Sequence, residues 1–439
     1  MAPPPALKIM KLLKVSFIAF NILPNAVYAS VESPHLYPTS LIAPSTPSHP
    51  QIETSSLLSL HRSLISIPSE SSHEANIILF LTEYLRSINY TVSLLPLSPP
   101  ESGRSSILVH PLTLPNYSPT RQNFKTRILL TTHIDTVPPF IPYSFTPHPT
   151  DPSLSLIRGR GSVDAYASLV SQLAAVHSLL THLQPGDLSL LFVPGEETTG
   201  IGMRSFSRLT CASRLNLTYE TIIFGEPTDN NLATGHKGLH LFDLHAHGRA
   251  AHSGYPSLGV SATRLVLEGL QALENLEMPY SERFGNSTIN IGRIEGGVAA
   301  NVVAAEATAE CSVRLAGGTI AQLKMLVKKA IGELEIEKGG AMSVETVLEG
   351  YSPVVCDTDV DGFETASMNY GTDIPHLSGH RGKKYLYGPG SILVAHGEEE
   401  GLTVGELEQG VSGYRKLILH SLWMNSLDEE TGTRLDFEL

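Results

Sequence analysis

The spacing of apolar residues changes along the chain, and each change predicts a different element. After residue 53, Leu57, Leu58, Leu60, Leu64 and Ile65 fall on one face at helical spacing. Ser71 followed by Glu74 predicts a capping box opening a second helix that ends near Ile88. Short apolar runs then predict strands at 90–95, 106–110, 127–132, 188–193 and 221–224, with a helix at 168–180 between two of them. Strands alternating with helices imply a mostly parallel sheet covered on both faces. In such sheets, ligands collect beyond the carboxyl ends of the strands.

From residue 238 the period changes. Alternation over 239–247, helical spacing over 260–276, alternation over 288–294 and 300–314, helical spacing over 320–334 and a strand at 344–348 give the order β-α-β-β-α-β of a ferredoxin-like unit. This reads as a second domain inserted into the first. The parent domain resumes near Tyr351 and closes with a long helix, capped by Thr403 and Glu406. The fold class is therefore α/β, a mostly parallel-sheet domain carrying an inserted α+β ferredoxin-like domain.

The N-terminus predicts targeting. Lys8, Lys11 and Lys14 precede an apolar run from Val15 to Leu23, and Val27-Tyr28-Ala29 offers a cleavage site before Ser30; Met10 is an alternative start. That run is too short to span a membrane. Pro34, Pro38, Pro44, Pro47 and Pro50 among Ser and Thr mark a linker. The expected segments are a signal peptide at 1–29, a linker at 30–52, the first part of the parent domain at 53–237, the insert at 238–349 and the second part at 350–439. Sequons at Asn89, Asn116, Asn216 and Asn286 fit a secreted glycoprotein with no membrane attachment in its mature form.

Composition narrows the chemistry. Of 439 residues, 41% are hydrophobic and 17% charged, which describes a globular chain. A net charge of −13 lacks the basic face that a nucleic-acid partner needs. Cys211, Cys311 and Cys356 allow one disulfide at most and form no zinc knuckle, so any metal must be held by His and carboxylates.

Such residues recur where apolar runs end. His133 and Asp135 project to one face after the run at 128–130, so Asp135 is placed to accept the imidazole's second N–H. Asp164 follows Gly159-Arg160-Gly161 and precedes a helix, with two oxygens free to bridge two cations. Glu196 and Glu197 close the run at 188–193 through Pro194-Gly195; one could ligate while the other moves protons. Glu226 follows the run at 222–224, and His396 follows the run at 392–395. Each alone is as consistent with a turn, a helix cap or a solvated loop; the recurrence points to a metal site. Imidazole and carboxylate without thiolate suit zinc, with cobalt or manganese as alternatives.

These motifs, in this order, resemble those of metallopeptidase family 20, the di-zinc carboxypeptidases, aminoacylases and acetylornithine deacetylases. The resemblance covers nearly everything after residue 53. It implies a zinc-peptidase catalytic domain with an inserted dimerisation (lid) domain, and two zinc ions per subunit. His133 and Glu226 would hold one ion, Glu197 and His396 the other, and Asp164 both. It further implies Glu196 as general base acting on a metal-bridged water, Asp135 as the residue orienting His133, and His252 reaching across a homodimer to the neighbouring site. Arg314, Asn301 and Gly390 would contact substrate. One departure is visible: Asp164 is followed by Ala165-Tyr166-Ala167, where the family often carries Asp-x-Lys-Gly. The expected function is a secreted carboxypeptidase-type exopeptidase acting on peptides. The alternatives are an N-acyl amino acid deacylase and, further off, a non-catalytic binding homologue.

Overall fold

The computed structural model describes residues 54–101, 103–112, 126–211, 219–338 and 341–423. The expected signal peptide and linker, and the sequons at Asn116 and Asn216, lie outside the described residues.

Helices α1 (Thr54–Ile65) and α2 (Ala75–Ser87) lead into β1 (Thr91–Pro96), β2 (Ser105–His110) and β3 (Ile128–His133). Then come α3 (Tyr166–Ser178), β4 (Leu188–Val193), α4 (Ile201–Cys211) and β5 (Thr221–Gly225). The next block is β6 (Gly238–His247), α5 (Ala262–Glu274), β7 (Thr288–Gly296), β8 (Glu306–Leu315), α6 (Ile320–Lys338) and β9 (Ala341–Tyr351). Strand β10 (Lys383–Tyr387) and helix α7 (Val404–Trp423) close the described chain.

The first sheet has the order β1-β2-β4-β3-β5-β10. Its β4, β3, β5 and β10 are mutually parallel, and β1 and β2 add an antiparallel edge. The four parallel strands therefore present their carboxyl ends along one edge. Strands β3, β4 and β5 are buried at every position, as continuous apolar runs covered on both faces must be. Helix α3 is buried along nearly its whole length because small or apolar residues surround its axis, and it packs between α1 and α7.

The second sheet, β7-β8-β6-β9, is antiparallel throughout. Alternation along β6 and β8 turns Phe242, Leu244, Ala246, Ala307, Ala309 and Val313 toward α5 and α6, where they form a separate core. All its strands lie in the chain between β5 and β10. At its root, residues 232–236 pair with 354–355 on one side and 365–368 on the other, which brings both crossings together.

Two expectations, a capping box and the start of a strand, are corrected, and the open question of a disulfide is answered. Ser71 and Glu74 do not form a capping box. The Ser71 hydroxyl donates to Asp135 (2.7 Å), while buried Glu74 accepts two bonds from Arg104 (2.7 and 2.8 Å). A buried carboxylate needs a cationic partner, and that demand outcompetes a local cap. The strand expected over 300–314 begins only at Glu306, since Gly296-Gly297 ends the preceding strand in a turn and residues 297–305 form the connection. The one disulfide that three cysteines allowed is not formed: Cys311 and Cys356 are buried in separate cores and Cys211 is exposed. The box at Thr403 and Glu406 does form, with reciprocal bonds of 2.7 and 3.2 Å.

Candidate metal centre

The sheet delivers the candidate residues to one edge. His133 is the last residue of β3. Glu196 and Glu197 follow β4 through a turn in which Gly195 has φ +75°, and a Cβ there would lie 2.7 Å from Ile201. Only glycine makes that turn without strain. Glu226 follows β5, Asp164 precedes α3, and His396 lies in the loop after β10.

Asp164 sits between the two histidines. Its Oδ1 is 2.9 Å from His133 Nε2, and its Oδ2 is 3.3 Å from His396 Nε2. Glu226 Oε2 lies 3.9 Å from His133 Nε2, and Glu197 Oε1 lies 3.1 Å from His396 Nε2. Donor atoms of His133, Asp164 and Glu226 all fall within 4.8 Å of one another, as do those of Asp164, Glu197 and His396. The result is two imidazole–carboxylate triads sharing one carboxylate.

The electrostatics ask for cations. Burial, reinforced by Glu226, pushes the Glu196 carboxyl well above its ordinary range, and burial does the same to Glu226. Burial and the Asp164 charge raise Glu197. Burial alone would depress His133, but its bond to Asp164 and the charges of Glu226, Asp164 and Glu196 outweigh it and hold the ring well above its usual pKa. Bonds to Asp164 and Glu197 lift His396 to about 10. Burial acts upward on Asp164 as well, yet the bonds from both histidines hold it below the usual carboxylate range. Carboxylates crowded and buried in this way repel one another, and divalent ions held between them would relieve that repulsion. Hard oxygen and imidazole donors without sulfur fit zinc-like ions.

Asp135 orients this site differently from expectation. Its carboxylate lies 3.7 Å from His133 Nδ1, beyond hydrogen bonding, and it is the Asp135 main-chain carbonyl, at 2.9 Å, that accepts from the ring. The carboxylate instead accepts from the backbone N–H groups of Glu196 (3.0 Å) and Glu197 (3.2 Å) and from Ser71. It ties the β3 and β4 termini together. Ser71 was missed because its spacing to Glu74 mimicked a cap.

Two further residues near the cluster carried no sequence signal. Asp373 is buried, with one carboxylate oxygen unpaired among the described residues, and burial lifts it to about 7. Tyr351 stands edge-on between His236 and His376, 5.9 Å from each ring. Burial above all, with the Glu196 charge behind it, raises its phenol, while Arg314 acts in the opposite direction. The Arg314 guanidinium reaches the loop at Gly371, where a Cβ would lie 3.5 Å from its Nη1.

The structure does not gather every expected residue. His252 and Asn301 are exposed together in the insert, joined by the His252–Val302 bridge and by a bond from Ser253 N–H to Asn301 O (3.0 Å). Among the described residues, no hydrogen bond or ion pair links either one to the cluster. Gly390, at φ +81°, packs where a Cβ would lie 2.8 Å from Val163, and its carbonyl is taken by Asp229 N–H. Asn89 and Asn286 are exposed. Tyr166 occupies the Asp164-proximal position of the departure, buried, with its hydroxyl against Ser69 and the Ile134 carbonyl.

A parallel sheet with an inserted ferredoxin-like unit, and paired triads at its strand ends, defines a metal-dependent hydrolase. The peptidase dimerisation domain of the M20 family matches residues 234–338. A probable carboxypeptidase of Neosartorya fischeri is 44% identical over 389 residues, covering 84% of this chain and 88% of its own. The aminopeptidase PepT of Bacillus cereus shares the fold with a TM-score of 0.66 at 21% identity, over 85% of this chain and 100% of its own. A dinuclear metal-binding M20 peptidase of Bacillus subtilis does so with a TM-score of 0.58 at 14% identity, over 84% and 98%. The chain belongs to metallopeptidase family M20.

Proposed function

We propose that this hydrolase is a secreted, zinc-dependent carboxypeptidase that holds two ions in the cluster and cleaves the C-terminal peptide bond of its substrate. The observation that carries the reading is the placement of Asp164, one oxygen toward each histidine, with Glu196 beside both triads. His133 and Glu226 would hold one ion, Glu197 and His396 the other, with Asp164 placed to serve both. When bound, the ions supply Lewis-acid polarisation and lower the pKa of water.

The remaining work falls to side chains. Glu196 takes the proton of the attacking water and returns it to the leaving amine, a task for a carboxylate whose basicity is raised by its surroundings. Asp135 grips the Glu196 and Glu197 amides together, so base and ligand keep a fixed spacing. The Arg314 guanidinium takes the substrate's terminal carboxylate in a bidentate bond, the geometry its planar fork favours. His252 and Asn301 act on the cleft of a second copy, in a homodimer formed through the insert; their exposure supports this. Relatives named probable carboxypeptidases support the C-terminal preference. Secretion rests on residues 1–29 and the sequons, of which Asn89 and Asn286 are exposed.

The test is a panel assay on the zinc-loaded chain with a chelator control. The panel contains N-blocked dipeptides, their C-terminal amides and N-acetyl amino acids. Cleavage confined to free C-termini, and lost with chelator, is expected. Equal cleavage of the amides contradicts the terminal-carboxylate role, and turnover of N-acetyl amino acids alone selects the deacylase alternative.

A further inference from the structure

The two triads differ in how their loops are held. His133 ends a paired strand, opposite Val193. His396 sits in a loop with φ +64°, a conformation that a non-glycine residue keeps only when its surroundings impose it. The ring is held by Asp164 and Glu197, and the backbone by one buried ion pair, Arg160–Glu400, closed at 2.6 Å with both residues almost inaccessible.

Arg160 spends its fork on the His396 loop. Nη2 donates to the His396 carbonyl and Nη1 to the Gly397 carbonyl, each at 3.3 Å, while Nε donates to Pro139 O at 3.3 Å. Glu400 works toward the other side. Its Oε1 accepts from the Val163 N–H (3.1 Å) and the Asp164 N–H (3.3 Å), and its carbonyl accepts from Gly159 N–H and Ser162 Oγ, both at 3.2 Å. One pair thus fixes the backbone of the shared carboxylate and the backbone of the exposed histidine. Asp164 is also steadied by His133, whereas among the described residues the His396 carbonyl takes its hydrogen bond from Arg160.

We propose that Arg160 and Glu400 are positioning residues that set the affinity of the ion held by Glu197 and His396, and leave that of the ion held by His133 and Glu226 largely unchanged. This rests on the two-ion reading above. A buried guanidinium must satisfy its remaining N–H groups, and here the acceptors are the carbonyls of His396 and Gly397, so the bonds that make its burial tolerable also hold the ligand's loop.

The experiment is a calorimetric titration of the metal-free full-length chain with zinc, for the native sequence and for Arg160→Lys. Lysine keeps the charge opposite Glu400 but loses the fork. The native chain is expected to bind two ions. In the variant, one ion keeps its affinity and the other weakens by about 10–100-fold, the usual effect of losing an outer partner. Anomalous diffraction at the zinc edge then finds depletion beside His396 and full occupancy beside His133. Glu400→Gln, which keeps the side chain's shape, is read the same way should Arg160→Lys fail to fold. Parallel weakening of both ions, or of neither, overturns the proposal while the two-ion reading stands. A native chain that binds a single ion overturns both together.

Discussion

The two halves of the cluster share Asp164 and little else. His133 is 1% exposed and Glu226 6%, at the ends of the neighbouring strands β3 and β5. The His396 side chain is 50% exposed, in a loop well beyond the end of β10. Sheet pairing builds the first half, because a residue at the end of a hydrogen-bonded strand has little freedom left. The second half joins a residue after β4, Glu197, whose side chain is 7% exposed, to a residue held by loop packing, His396, and loops open at lower cost than paired strands. A site assembled from both should therefore hold its ions unequally, with the exposed half exchanging first.

The change that most completely breaks this comparison is Asp164→Asn, which removes the shared ligand. Both ions should be lost, with a fall in activity beyond the roughly 100-fold typical of outer-shell partners; metal analysis after gel filtration checks it. Retention of two ions would mean that the halves do not depend on Asp164. Glu196→Gln should leave both halves intact and reduce kcat by about 10²–10⁴-fold, seen as full zinc content with poor turnover. Normal turnover at full metal content would remove Glu196 from proton transfer. Arg314→Met also spares both halves. It should lower kcat/KM by about 10–100-fold on substrates with a free C-terminus, the worth of a charged hydrogen bond, and leave C-terminal amides unaffected.

The smallest effect concerns protons. Neighbouring carboxylates push the pKa of both His133 and His396 upward, His396 to about 10. A protonated histidine coordinates only after giving up a proton, so zinc binding releases protons and weakens as pH falls, about tenfold per unit for each proton displaced. Calorimetry at pH 7 in two buffers of different ionisation heat measures the release, and a value of zero contradicts the assigned ligands. The sign for folding is opposite. Because its folded pKa is raised to about 10, His396 favours the metal-free fold below its unfolded value, and that contribution disappears as pH rises through about 10.

Much of this was legible because the parallel sheet converts order in sequence into proximity. His133, Glu197 and Glu226 each follow an apolar run, and strands that run parallel bring such positions to one edge. Asp164 was legible from the glycines before it and the helix after it. What escaped was set by contacts distant in sequence. Arg160 stands between two glycines and Glu400 ends the acidic run Glu398-Glu399-Glu400, and neither position signals that folding buries them as a pair. Ser71 matched a capping pattern that lost to Asp135, and Asp135 turned its carboxylate to backbone amides that no spacing rule anticipates. Asp373 and Tyr351 lie where both crossings of the insert meet, a junction defined only by the fold.

A two-ion site with unequal halves gives two zinc affinities, and competition between the metal-free chain and a chelator of known zinc affinity measures both. Run on the native chain, on His133→Ala and on His396→Ala, it should yield two ions of distinct affinity in the first. The tighter ion should be missing in the second and the weaker ion in the third. One ion in the native chain, two of equal affinity, or the tighter ion lost on changing His396 would contradict the account.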